Sequence, residues 1–172
     1  AQKFNNDYKF ENFFIVPEPL IKKEFSRIMS LKDGLKKMSK SEISDLSRIN
    51  LTDDRDQITN KIKKAKTDTL PLPSTIEELE KRPEAENLIG IYSSLTNKTL
   101  QKSIDEFAGK NFSEFKEKLS DIVVNEINPI SLKIKELLDD KDFLEKILKD
   151  GYEKANEIAS KKIKKIHEIV GF

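Results

Sequence analysis

The chain contains no cysteine in its 172 residues, so neither a disulfide framework nor a thiolate metal site is available to it. Its one histidine, His167, cannot build a histidine-based metal centre alone, and no metal ligands are assigned. No apolar run approaches the roughly 20 residues of a membrane span. No basic-then-apolar leader opens the sequence. An excess of one charge is also lacking: 32 Lys+Arg stand against 31 Asp+Glu, a net charge of +1. Any contact with nucleic acid must therefore come from local patches. No Gly-rich turn follows a strand-like run. These absences together lead us to expect a soluble, cytoplasmic protein with no membrane partner.

What remains is long enough for one domain or two small ones. A compact chain of this size can bury roughly 70% of its unfolded surface. The sequence begins at Ala1 without a methionine, and its opening AQKFNNDYK reads as the end of a helix. We read the chain as a fragment of a longer protein.

Along the chain, Phe13-Phe14-Ile15-Val16 is apolar, β-prone and stopped by Pro17, which predicts a strand or an extended segment. Arg27 to Leu31 is a second short apolar element, and Asp33-Gly34 signals a turn. Ser47 to Leu51 alternates polar and apolar residues, as a short strand does. From residue 52 the pattern becomes helical. Thr52, Asp53 and Asp54 offer caps for a helix over about 54–67. Prolines punctuate a loop from Thr67 to Pro83, with one helical turn at Ile76–Leu79. Pro83 opens the next helix, and Thr99 to Phe107 form another that Gly109 closes. Two long helices follow. The first carries Phe112, Phe115, Leu119, Ile122, Val123, Ile127, Ile130, Ile134 and Leu137 at spacings of three and four, and Pro129 is expected to kink or split it. The second, over 141–169, turns Leu144, Ile147, Leu148, Ala155, Ile158, Ala159, Ile166 and Val170 inward, with Gly171 as its C-cap. The chain is thus mainly α: a small irregular α/β piece, residues 1–51, precedes a helical bundle, residues 52–172. Neither an internal repeat nor a low-complexity tract is present.

The stretch with the most chemistry is Lys37-Met38-Ser39-Lys40-Ser41, in a polar loop. It brings two ammonium groups and two hydroxyls to one turn, which suits gripping a chain of phosphates while charge moves along it. Lysines that reach those oxygens only when a loop closes favour a transition state over a ground state. Lys37 and Lys40 are the candidate catalytic residues. Ser39 and Ser41 either donate to phosphate or cap the loop.

KMSKS is also the signature loop of the class I aminoacyl-tRNA synthetases, and its flanks narrow the likeness. Arg27-Ile28-Met29-Ser30-Leu31 before the loop resembles the tryptophanyl-tRNA synthetase family, as do Lys61 to Asp68 (KIKKAKTD) and Arg82 to Tyr92 (RPEAENLIGIY) after it. The closing Gly171-Phe172 is similar as well, so the resemblance runs through essentially the whole chain. It implies the C-terminal half of a Rossmann-type enzyme that activates tryptophan with ATP and Mg2+ and then charges tRNA(Trp), commonly as a homodimer. Residue by residue, it carries ATP binding to Ile28, Lys37, Met38, Ser39, Lys40 and Ser41. Residues 1–51 would be the remnant of the nucleotide-binding catalytic domain, and 52–172 the helical tRNA-binding domain. No motif of the His-Ile-Gly-His type is present. The isolated chain is therefore not expected to form tryptophanyl-adenylate, and no tRNA-reading residues are assigned to it.

Two basic clusters carry open readings. Lys61, Lys63, Lys64 and Lys66 suit either phosphate contact or a solvated helix end beside the negative C-terminal dipole. Lys161, Lys162, Lys164 and Lys165 either touch RNA or keep the last helix wet. The alternative for the chain as a whole is a non-catalytic helical RNA- or protein-binding module.

Overall fold

The computed structural model describes residues 1–21 and 26–171; Phe172, part of the closing resemblance, lies outside them. The fold is mainly α, as the periodicity predicts. A small antiparallel hairpin, β1 (Met29–Ser30) and β2 (Asp33–Lys37), is the only sheet among the described residues. Helices α1 (Gln2–Asp7), α2 (Arg55–Lys63), α3 (Ile76–Glu80), α4 (Pro83–Thr96), α5 (Leu100–Phe107), α6 (Phe112–Asp139) and α7 (Lys141–Val170) make up most of the rest. The chain gathers into two compact units: residues 22–136, and residues 1–21 with 137–172.

Local chemistry explains where these helices start and stop. Asp54 and Gln57 form a reciprocal capping box that opens α2, with both hydrogen bonds at 2.9 Å. Thr75 and Thr99 cap α3 and α5 with their side chains. Pro83 takes the first position of α4, where its missing N–H leaves nothing unpaired. At the far end of α4, Asn97 turns left-handed at φ 54°. Asp140 opens α7 and Gly171, at φ 89°, ends it as expected. Helix α6 continues through Pro129 without splitting.

The core of the larger unit joins the apolar faces of its helices. Ile58 and Ile62 of α2, Leu88, Ile89 and Tyr92 of α4, Ile104 and Phe107 of α5, and Phe115 and Leu119 of α6 are buried in one cluster with Leu31 and Leu72. Phe107 stands edge-on to both Tyr92 and Phe115, at centroid distances of 4.9 and 4.8 Å. Lys116 on α6 donates to the Lys63 and Ala65 carbonyls and to the Thr67 hydroxyl, which caps the end of α2. Burial pushes its ammonium pKa down. Arg82 forks onto Asp68 at 2.8 and 2.5 Å, donates to the Pro71 carbonyl at 2.6 Å, and so straps the proline loop to the start of α4.

Four readings of the sequence are corrected here. Phe13 to Val16 form no strand, because this backbone pairs with a side chain instead. Asn5 donates to the Phe14 carbonyl at 2.7 Å and accepts from the Phe14 N–H at 2.9 Å. The phenylalanine rings join Phe4, Tyr8 and Phe10 in an aromatic cluster within the smaller unit. Ser47 to Leu51 is not a strand either, since its polar side chains hold a 3-10 turn at Asp45–Ser47 and the bend after it. The hairpin turn falls at Leu31-Lys32, which puts Gly34 inside β2. Finally, the apolar stripe of α7 is not buried: no residue of that helix is, and Ile147, Leu148 and Ile158 are exposed.

Candidate functional site

The KMSKS segment begins in the hairpin and leaves it. Lys37 is the last residue of β2 and pairs with Met29. Met38 extends the pairing by donating to the Ile28 carbonyl at 3.0 Å. The backbone therefore brings Ile28 and the loop together, although 28 and 38 are ten positions apart only through a hairpin. Ile28 is 44% exposed, and Met38 is half-buried against the core. The Met38 side chain thus ties the loop's entrance to the hydrophobic cluster.

Beyond Met38 the hydrogen bonds of the loop among the described residues are local. The Ser39 hydroxyl lies 2.9 Å from that of Ser41 and accepts from the Ser41 N–H at 3.3 Å. The Ser39 carbonyl accepts from the Glu42 N–H at 3.4 Å. Local capping, the plainer of the two readings of these serines, is what this geometry contains. Lys37 and Lys40 are exposed and have no ion-pair partner among the described residues. The arrangement thus offers two uncommitted ammonium groups on a short segment between fixed ends.

The hairpin's own position is tightly held, by residues the motif reading passed over. The Asn87 side chain of α4, 3% exposed, accepts from the Met29 N–H and donates to the Met29 carbonyl, both at 2.8 Å. It does for β1 what a neighbouring strand would do. Leu31 donates to the Ser47 carbonyl at 2.9 Å and accepts from the Lys66 N–H at 2.7 Å. Gly34 lies against the first turn of α4: a Cβ there would come within 2.6 Å of the Pro83 carbonyl carbon and 2.7 Å of the Glu84 nitrogen. Lys66 pairs with Glu84 at 2.8 Å, which raises the lysine's pKa and lowers the carboxylate's. Asp33 is held below its ordinary value chiefly by the Leu35 N–H and then by Lys36. An asparagine within the apolar run of α4 was the one visible signal of this clamp.

The basic clusters separate on inspection. Lys61 is 2% exposed and sits between two carboxylates, so it is neither a solvated helix end nor a surface for RNA. Lys63 and Lys64 remain exposed, whereas Lys66 is committed to Glu84. In the last helix Lys161 pairs with Glu157 at 2.7 Å, and Lys162 lies 3.7 Å over the Phe13 ring. His167 is exposed on the same helix. Among the described residues no three carboxylate or imidazole groups converge on one point. No helix of the described residues is long and apolar enough to cross a membrane.

A family model described as tRNA synthetases class I (W and Y) matches residues 1–128. The tryptophan–tRNA ligase of Caulobacter vibrioides is 48% identical over 172 residues, 100% of this chain and 50% of that protein. Among solved structures, the tryptophanyl-tRNA synthetase of Mycoplasma pneumoniae has a TM-score of 0.79 at 23% identity, a likeness of fold, over 100% of this chain and 51% of that one. The Campylobacter jejuni tryptophanyl-tRNA synthetase complexed with ADP and tryptophan has a TM-score of 0.66 at 26% identity, over 100% and 51%. The chain spans about half the length of the curated relatives it matches.

Proposed function

From the premise that this chain belongs to the class I tRNA synthetases of the W and Y kind, we propose that it is the KMSKS-bearing half of a tryptophan–tRNA ligase. The observation that carries this reading is the pair of uncommitted lysines, Lys37 and Lys40, on a loop whose entrance is clamped to the core. In this reading the tryptophan carboxylate attacks the α-phosphorus of ATP. Negative charge then grows on the departing pyrophosphate. Lys37 and Lys40 donate to those oxygens as the loop closes, and they meet more charge in the transition state than in bound ATP. Ser39 and Ser41 exchange their mutual hydrogen bond for contacts to phosphate. Ile28 and Met38 supply apolar contact at the nucleoside end. Mg2+ neutralises phosphate charge when bound, and the nucleotide rather than this chain would hold it.

Residues 1–51 would then complete the nucleotide-binding domain, and residues 52–172 form the tRNA-side helical domain. The partners of the whole enzyme would be tRNA(Trp), tryptophan, ATP and a second copy of itself, in the cytoplasm. The test is tryptophan-dependent exchange of pyrophosphate into ATP by the full coding sequence, with tyrosine as the competing substrate. Exchange with tryptophan, lowered about a hundredfold by Lys40→Ala, is expected. Exchange with tyrosine only, or with neither amino acid, would overturn the assignment. Residues 1–172 alone are expected to be silent.

A further inference from the structure

Lys61 occupies a setting that ordinary helix solvation does not explain. Its ammonium lies 2.6 Å from Asp45 Oδ2 and 2.6 Å from Asp53 Oδ2, with its side chain 3% exposed. The pair with Asp53 is buried, at 3% and 5% exposure, whereas Asp45 reaches Lys61 from a side chain 55% exposed. A buried lysine paired in this way adds little stability over apolar packing of the same shape, so its presence points to a requirement for position. Both carboxylates come from the segment that follows the KMSKS loop. Asp45 lies four residues after Ser41, in the 3-10 turn, and Asp53 lies just before α2.

From Asp45 the bonds lead back to the loop. Arg48 Nη2 reaches Asp45 Oδ1 at 3.1 Å, and Arg48 Nη1 donates to the Glu42 carbonyl at 2.8 Å, one residue beyond the signature. Asn50 fills the remaining sites: it accepts from Arg48 Nε at 3.0 Å and donates to Asp45 and Asp53 at 2.9 and 3.2 Å. The run Lys61–Asp45–Arg48–Glu42 is a strap from helix α2 to the exit of the loop. The entrance is fixed separately by the Met38 to Ile28 bond. Between these anchors, among the described residues, Ser39, Lys40 and Ser41 are held only by local bonds: those between Ser39 and Ser41, and the one from the Glu42 N–H to the Ser39 carbonyl.

We propose that Lys61 is a positioning residue for the KMSKS loop: through Asp45 and Arg48 it fixes the exit of the loop, and so limits where Lys40 can travel on closure. This rests on the reading of the loop as the grip on ATP phosphates. Lys37 depends on the strap far less, because its backbone is held in β2. Cutting the strap lengthens the free segment and spreads Lys40 over positions in which it does not meet the leaving group.

The experiment is tryptophan-dependent pyrophosphate exchange by the full coding sequence carrying Lys61→Met or Arg48→Met, each alone and combined with Lys40→Ala. Arg48→Met cuts the same strap without touching the buried lysine, so it serves if Lys61→Met does not fold. The expected result is a fall in kcat of roughly ten- to hundredfold with KM for tryptophan unchanged. In the Lys40→Ala background the same substitutions should add nothing, since they act through Lys40. An unchanged kcat, or losses that multiply in full with Lys40→Ala, would overturn the proposal. A full-length wild type without tryptophan-dependent exchange would instead overturn the reading of the loop, and the proposal would fall with it.

Discussion

Replacing Gly34 with alanine puts a methyl group where the backbone of α4 already is. The built Cβ would lie 2.6 Å from the Pro83 carbonyl carbon, 2.7 Å from the Glu84 nitrogen and 2.8 Å from the Pro83 oxygen. Non-bonded carbons settle at about 3.5–4.0 Å, so the hairpin and helix must separate by about 1 Å. All three atoms are main chain, and none can rotate out of the way as a side-chain tip would. The penalty should therefore lie toward the upper end of the overpacking range, about 2–3 kcal/mol. For a chain of this size that corresponds to a fall in Tm of roughly 4–12 °C. The same displacement pulls β1 from Asn87, so proton exchange at the Met29 amide should accelerate with it. The assay is thermal unfolding of residues 1–172 followed by circular dichroism, with Gly151→Ala as the control. At Gly151, within α7, an added Cβ meets nothing within 4 Å, and alanine should stabilise the helix by about 0.5–1 kcal/mol. A Gly34→Ala protein melting within about 1 °C of wild type would refute the argument that contact with α4, rather than turn geometry, requires glycine there.

Five further outcomes follow from the same geometry. Asn87→Ala leaves both the Met29 N–H and its carbonyl without a partner, and should lower unfolding stability by about 2–4 kcal/mol in urea titrations. Arg82→Lys keeps the charge but loses the two-pronged contact with Asp68; we expect a loss of about 1–2 kcal/mol and faster proteolysis of the 68–73 loop. Phe115→Ala empties a fully buried site between Phe107 and Tyr92 and should cost about 3–5 kcal/mol by the same titration. Asp45, Asp68, Glu84 and Glu106 are held below their ordinary pKa first by Lys61, Arg82, Lys66 and Lys98 respectively. Their stabilisation is complete above the unfolded values of 3.8 and 4.5 and disappears as pH falls through the lower folded values, so Tm should be flat near neutrality and drop below about pH 4. Glu86, raised by burial, works in the opposite sense, and Glu86→Gln should lift the neutral plateau.

Periodicity and punctuation by themselves determined most of the helices and singled out the loop proposed to grip phosphate. Helices α4, α5 and α7 begin within a residue or two of Pro83, Thr99 and Asp140 because caps act through backbone groups next to them in sequence. KMSKS was legible for a similar reason: its lysines and hydroxyls are contiguous in the sequence. Tertiary structure alone decided what happens to residues whose partners are distant. Asn87 reads as one polar residue in an apolar helix until Met29, 58 positions away, is brought to its side chain. Gly34 reads as a turn until α4 arrives against it. Lys61 reads as one of a solvated basic cluster until folding sets Asp45 and Asp53 around it. Conversely, the stripe of α7 has the spacing of a core face, yet that helix has no buried residue. Amphipathic spacing states that a face can be buried; whether it is buried depends on which other surfaces the fold brings to it.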